Sequence, residues 1–192
     1  MTKKDTLSPG WRKTGDRPTS FTQQNMLYQK LFEDIVLNNK EISLSGLNIL
    51  EVGPGTGQFA KWIIENKSLE INSYTILDSS FCIHHSQSTL KKFENVDYCA
   101  SDDYESLYSR DFDMLISVQC LSETPLFYAK DILEKMKYNY LFILDEENLP
   151  GAPFNDYMNS FFQNKIAESS RARITTDMYR KRTQVLFFGE KI

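Results

Sequence analysis

Between Glu51 and Asp78 the chain sets out five residues whose types and spacing can do chemistry. They are the acidic Glu51, then Gly53, Gly55 and Gly57 at alternate positions, and a second carboxylate, Asp78, 21 residues beyond the last glycine. Glycine lets a backbone take positive φ and lets a ligand approach where a Cβ would collide. A helix start behind such a turn offers N–H groups that have no intrahelical partner. At the end of the following strand, an acidic residue placed like Asp78 accepts hydrogen bonds from ribose hydroxyls in nucleotide-binding α/β units. The chemistry implied is the holding of a nucleoside-containing ligand. The plain alternatives are a tight turn that binds nothing and a carboxylate that caps the helix starting near Ser79.

The elements that must position these groups follow from periodicity. Leu47–Val52 is an apolar run without helical phase, as expected of a strand buried on both faces. Gln58–Asn66, with Phe59, Trp62 and Ile63 at helical spacing, is the helix behind the turn. Ser73–Asp78 is the second strand, and a helix then runs to Phe93. His84 and His85, the two histidines, fall about two turns into that helix, below the cleft rim. They read as ordinary helix residues first and as bases second, while Ile83 stands nearer the rim, where an adenine ring can pack. Val96–Cys99 is a third strand, followed by Asp102 and Asp103, which either meet the ligand or start a short helix over 103–109. Phe112–Val118 is a fourth, and because open parallel sheets bind ligands at the carboxyl ends of their strands, Gln119, Ser122 and Glu123 should face the reaction. Thr124-Pro125 reads as N-cap and first residue of a helix to about Lys137. A fifth strand, Tyr138–Asp145, ends in Asp145, Glu146 and Glu147, which suit a divalent cation, a base or simply solvent. An aromatic helix over 154–168 and two antiparallel strands, Arg173–Thr176 and Gln184–Phe188, finish the chain. Ahead of everything, residues 1–19 are an irregular arm carrying Trp11, Arg12 and Arg17, and a helix runs from Ser20 or Thr22 to about Asn38.

Spacing separates the ligands that a glycine turn can hold. A dinucleotide fingerprint needs its third glycine where Gln58 stands, and a phosphate-gripping loop needs Gly-Lys-Ser/Thr where Gly57-Gln58-Phe59 stands. What remains, Glu51-x-Gly53-x-Gly55-x-Gly57, resembles the first motif of class I S-adenosylmethionine-dependent methyltransferases, with Pro54 a tolerated variation. The resemblance covers residues 45–192. It implies a single α/β domain over 1–192, with 1–44 an N-terminal arm and helix and 45–192 a Rossmann-like core. That core is a doubly wound sheet of about seven strands, mostly parallel with an antiparallel last strand, and helices lie on both faces. The cofactor implied is S-adenosyl-L-methionine, held by the turn and by Asp78 and Ser79, with Asp102 or Asp103 on the adenine amino group and Gln119 near the methyl. Glu51 suits the cationic amino acid and sulfonium. Glu123 is the first candidate for a base by position, with His84 and His85 behind it; Trp11, Arg17 and Ser122 are candidates for the acceptor. A narrower likeness, carried by FDMLISVQCLSETP, is to bacterial sugar O-methyltransferases of polysaccharide clusters. Metal-dependent sugar methyltransferases carry Asp-rich motifs where Gln119 and Ser122 stand, so no metal is expected.

Composition sets the partners. The net charge of −4 is unevenly spread: residues 1–30 and 165–192 carry 13 of the 22 Lys and Arg, and the middle is strongly acidic. Such a body is not built to coat nucleic acid, whereas its basic ends suit a small anionic acceptor or a nucleotide sugar, or are simply solvated. Cys82, Cys99 and Cys120 lack metal-like spacing and read as reduced core thiols of a cytoplasmic protein. No apolar run approaches membrane length, so no membrane partner is expected, and the chain should act as a monomer or homodimer. A small-molecule N-methyltransferase, a cofactor-binding subunit without activity and a nicotinamide-dependent reductase stand as alternatives.

Overall fold

The computed structural model describes residues 21–38, 43–146, 156–157, 160–161, 173–176 and 183–189. Helix α1 (Phe21–Phe32) passes into a π-helical turn, Glu33–Leu37. Strand β1 (Leu47–Val52), helix α2 (Gln58–Glu65), strand β2 (Ile71–Asp78), helix α3 (Ser80–Leu90) and strand β3 (Val96–Ala100) then alternate. A 3-10 turn, Tyr104–Ser109, leads into β4 (Asp111–Val118), and a second, Leu121–Glu123, precedes α4 (Leu126–Lys135) and β5 (Lys137–Glu146). Two further strands are β6 (Arg173–Thr176) and β7 (Thr183–Gly189). Of the aromatic helix expected over 154–168, residues 156–157 and 160–161 are described, and they are helical.

Strands β1 to β5 form the expected parallel sheet, in the order β3-β2-β1-β4-β5. On the far edge β7 pairs antiparallel with β5, and β6 antiparallel with β7. The near-continuous apolar runs of the central strands are explained by the layers they serve. Side chains alternate across a strand, so Ile49, Tyr74, Ile76, Met114 and Phe142 pack under α1, α2 and α3, while Leu50, Val52, Leu77, Leu115 and Ile143 pack under α4. The order reverses direction between β1 and β4, and chains leaving neighbouring strands on opposite sides open a crevice at their carboxyl ends.

Two local expectations change. Thr124 does not cap α4; its hydroxyl donates back to the carbonyl of Leu121 (2.9 Å), and Pro125, extended at ψ 136°, is the residue from which the helix starts. Cys99 is buried as a core thiol should be, but Cys82 and Cys120 are half-buried.

Helix α1 buries Tyr28, Leu31 and Phe32 in the core. Phe32 is fully buried and meets Phe59, Trp62 and Phe142 edge-on, at centroid distances of 5.8, 6.0 and 5.1 Å. Phe32→Ala should therefore cost about 3–5 kcal/mol, read as a lower midpoint in chemical denaturation. A loss below about 1 kcal/mol would mean that α1 contributes little to the core.

Candidate functional site

The turn after β1 is glycine-built for three different reasons. Gly53 (φ +72°) has Cys120 pressed against it: a Cβ there would lie 2.1 Å from Cys120 Sγ. Gly57 (φ +74°) lies under Ser86 and Leu90 of α3, whose side-chain carbons would meet a Cβ at 3.1 and 3.3 Å. Gly55 (φ +57°) has nothing within 4 Å of its missing Cβ. Two glycines thus serve the protein's own packing, and the third faces open space.

Asp78 braces this turn. One carboxylate oxygen accepts from the N–H of Gly55 (3.1 Å) and the other from the N–H of Ser79 (2.7 Å). Burial pushes its pKa up, against the hydrogen bonds from Ser79, Gly55 and the Cys82 thiol. The N-cap of α3 is Ser79, whose Oγ accepts from the N–H of Cys82 (3.3 Å), so Asp78 is left to the turn and to the space beside it.

That space is a cleft of about 320 Å³ over the carboxyl ends of β1, β2 and β3. Val52 and Leu77 are its floor, and Gly53, Asp78, Ser79 and Ser101 its sheet side. Cys120, Thr124, Pro125, Phe127 and Tyr128 make the opposite wall. Most of that wall is not legible in the sequence, where Cys120 reads as a core thiol and Thr124 and Pro125 only as a helix start. A larger hollow of about 460 Å³ lies at the opposite, amino-terminal ends of β1, β4 and β5, among Asn48, Asp113, Glu134 and Asn139. Its polar groups are already matched: Asp113 accepts from Asn48 and Asn139, and Glu134 from Tyr157. We place the site at the smaller cleft, where the carboxyl ends converge.

Glu51 does not set a negative charge beside the turn. It points to the face opposite Val52, is 1% exposed, and accepts a hydrogen bond from the Tyr74 hydroxyl (2.7 Å). Burial, with Asp78 adding to it against the Tyr74 hydrogen bond, raises its pKa to about 8, so at neutral pH the carboxyl is mostly protonated. Gln119 is half-buried at the end of β4 with φ +56°, rare for a residue with a Cβ, and its N–H donates to Leu144 (2.7 Å). His84 and His85 are exposed on α3, one against Gln87 and the other edge-on to Phe81; neither lines the cleft. Ile83 is buried and does not line it either. Asp102 and Asp103 are exposed just past Ser101, and Ser122 and Glu123 lie in the 3-10 turn between Cys120 and Thr124, outside the lining. Pro54 sits half-buried in the turn, its carbonyl accepting from Gly57 (3.0 Å). Trp11 and Arg17, and the side chains of Asp145, Glu146 and Glu147, lie outside the described residues.

The buried carboxyl has a measurable consequence. Between pH 4.5 and 8 the folded protein holds the Glu51 proton while the unfolded chain releases it. Stability must therefore fall as pH rises through that window, by about 1.4 kcal/mol for each unit of separation. Glu51→Gln keeps the acceptor for Tyr74 and removes the titration. Its thermal midpoint should decline less than that of the unaltered protein between pH 5 and 8; equal declines would show that Glu51 is ionised in the fold.

No protein-family model and no curated protein matches the chain. Solved structures do. Magnesium protoporphyrin IX methyltransferase from Synechocystis PCC 6803, with bound S-adenosylmethionine, superposes with a TM-score of 0.60 at 15% identity, covering 94% of this chain and 90% of that one. N-methyltransferase NodS from Bradyrhizobium japonicum, in complex with S-adenosylhomocysteine, gives 0.58 at 14% identity, over 96% and 93%. The methyltransferase domain of bacterial CtHen1 gives 0.55 at 13%, over 88% and 98%. At such identities the likeness is one of architecture, and the chain has the class I fold seen in S-adenosylmethionine-dependent methyltransferases.

Proposed function

We propose that the protein is a methyltransferase that takes S-adenosyl-L-methionine in the cleft beside Asp78 and transfers its methyl group to a small molecule. The observation that carries this reading is Asp78, a carboxylate at the end of β2 that lines the cleft and holds the N–H of Gly55, a glycine whose missing Cβ would meet open space. The residues fit the group. Asp78 can accept from ribose hydroxyls, no lysine is needed for a ligand without phosphate, and Val52, Leu77, Pro125 and Phe127 offer apolar surface to an adenosine. The cofactor, when bound, supplies a methyl group already electrophilic on its sulfonium. The protein is left to orient the acceptor and exclude water.

With Glu51 protonated and turned away, Asp78 is the acidic side chain of the pair that faces the cleft. Proteins sharing the architecture are named for reactions as different as methylation of magnesium protoporphyrin IX and N-methylation, so the fold leaves the acceptor open. We take the acceptor to be a hydroxyl of a sugar or polysaccharide precursor, on the likeness of the Ser122-Glu123-Thr124-Pro125 segment alone. A hydroxyl must lose a proton as it attacks, and Glu123, exposed in the turn leading into the cleft wall, is the base proposed for it.

Binding and turnover both test this. In calorimetry the protein should bind S-adenosylmethionine and S-adenosylhomocysteine but not NAD; binding of NAD alone overturns the reading. Gly55→Ala should fold, at a cost of about 1–2 kcal/mol for the left-handed conformation, yet lose at least tenfold in affinity because its methyl fills the open side. Release of S-adenosylhomocysteine with a panel of nucleotide sugars and small amines then separates O from N acceptors. With a sugar acceptor, Glu123→Gln should depress turnover and leave cofactor affinity unchanged.

A further inference from the structure

Beside the cleft, α4 is hydrogen-bonded to the turn that follows β3 through a single carboxylate. Asp131, one turn beyond Tyr128, accepts on one oxygen from the hydroxyls of Tyr104 (3.0 Å) and Tyr108 (3.1 Å), and from Lys135 Nζ (2.9 Å). Both tyrosines belong to the 3-10 turn that begins three residues after Ser101, which lines the cleft. The Tyr104 ring also packs on that of Tyr128, with centroids 4.7 Å apart, and Tyr128 lines the cleft with Phe127. Tyr104 meets Tyr108 edge-on at 5.8 Å, so the three rings and the carboxylate form one connected unit.

Apolar packing through Leu107 and the Lys135 ammonium over the Tyr108 ring (5.5 Å) also join the turn to α4, but among the described residues the hydrogen bonds between them are those on Asp131. The short turn Tyr104–Ser109 buries Leu107, in the same core cluster as Ala129, Ile132 and Leu133 of α4, and that apolar contact fixes no direction, whereas the hydrogen bonds on Asp131 do. The hydrogen bond from Lys135, and after it those from the two tyrosines, hold the Asp131 carboxyl below the usual carboxylate range, so it stays an acceptor at neutral pH. A carboxylate with three donors on one oxygen is also directional, since each donor limits where the others can sit.

We propose that Asp131 is a positioning residue for the cofactor: through Tyr104 and Tyr108 it fixes the spacing between the β3 end and the Tyr128 wall of the cleft. It touches neither cofactor nor acceptor. Its effect is on affinity, and the inference rests on the reading of the cleft as a cofactor site.

A double-mutant cycle tests it, with the dissociation constant of S-adenosylhomocysteine as readout and thermal midpoints alongside. Asp131→Ala, and separately Tyr104→Phe with Tyr108→Phe, should each weaken binding by about fivefold or more, and the combined variant should be little weaker than either alone, because all three groups act through one tie. The phenylalanine variant keeps every ring and so keeps its fold. Wild-type affinity in both variants, or losses that multiply when combined, overturns the inference while leaving the cofactor reading in place. Failure of the unaltered protein to bind S-adenosylhomocysteine overturns both.

Discussion

The approach of Cys120 to Gly53 is the constraint on which the rest of the site depends. The ends of β1 and β4 can lie side by side only because position 53 has no side chain; a single added carbon would fall 2.1 Å from the sulfur. That contact brings the segment after β4 over the turn after β1, and from there the chain continues into Thr124, Pro125 and α4. The wall of the cleft is therefore set by an absence of atoms at its base. Gly57 repeats the device under α3, so the turn is clamped from both sides and its middle, Gly55, is left facing outward.

The electrostatics follow from the same compression. Two carboxyl groups close to one turn cannot both be ionised at low cost when one is sealed from water. Here the division is settled by geometry. Glu51 is buried on the face away from α4, accepts from Tyr74 and keeps its proton, while Asp78 keeps backbone N–H donors and reaches the cleft. The acidic residue of the motif thus acts inside the core, and the charge available to a ligand comes from the next strand.

Much of this was legible in the residues and some could not be. Strands buried on both faces appear as apolar runs, which is why β1, β2, β4 and β5 were placed closely, and Gly53, Gly55, Gly57 and Asp78 carry their own turn chemistry. Glu51 misled because its state depends on Tyr74, which reaches it from the adjacent strand two positions along the same face, and cross-strand register is not visible in the chain. Cys120 misled because half-buried thiols and core thiols look alike until the partner, here Gly53, is known. Tyr128 and Asp131 sit on the polar side of an amphipathic helix, where periodicity reports only that a residue is not core. Thr124-Pro125 satisfied the usual pattern for a helix start, but the hydroxyl found a nearer acceptor in Leu121.

The order of the sheet has a kinetic side. Strand β1 lies between β2, which follows it closely, and β4, so that Asn48 bonds to Asp113 across 65 residues of chain while Gly55 bonds to Asp78 across 23. Pairings of such different loop lengths close at different rates, the shorter first. The half of the cleft that carries Asp78 can thus form early, whereas the Cys120 wall must wait for β4 to dock against β1. Any ligand that needs both halves recognises only the finished sheet, and its binding energy is added to the stability of the whole chain rather than to one part of it.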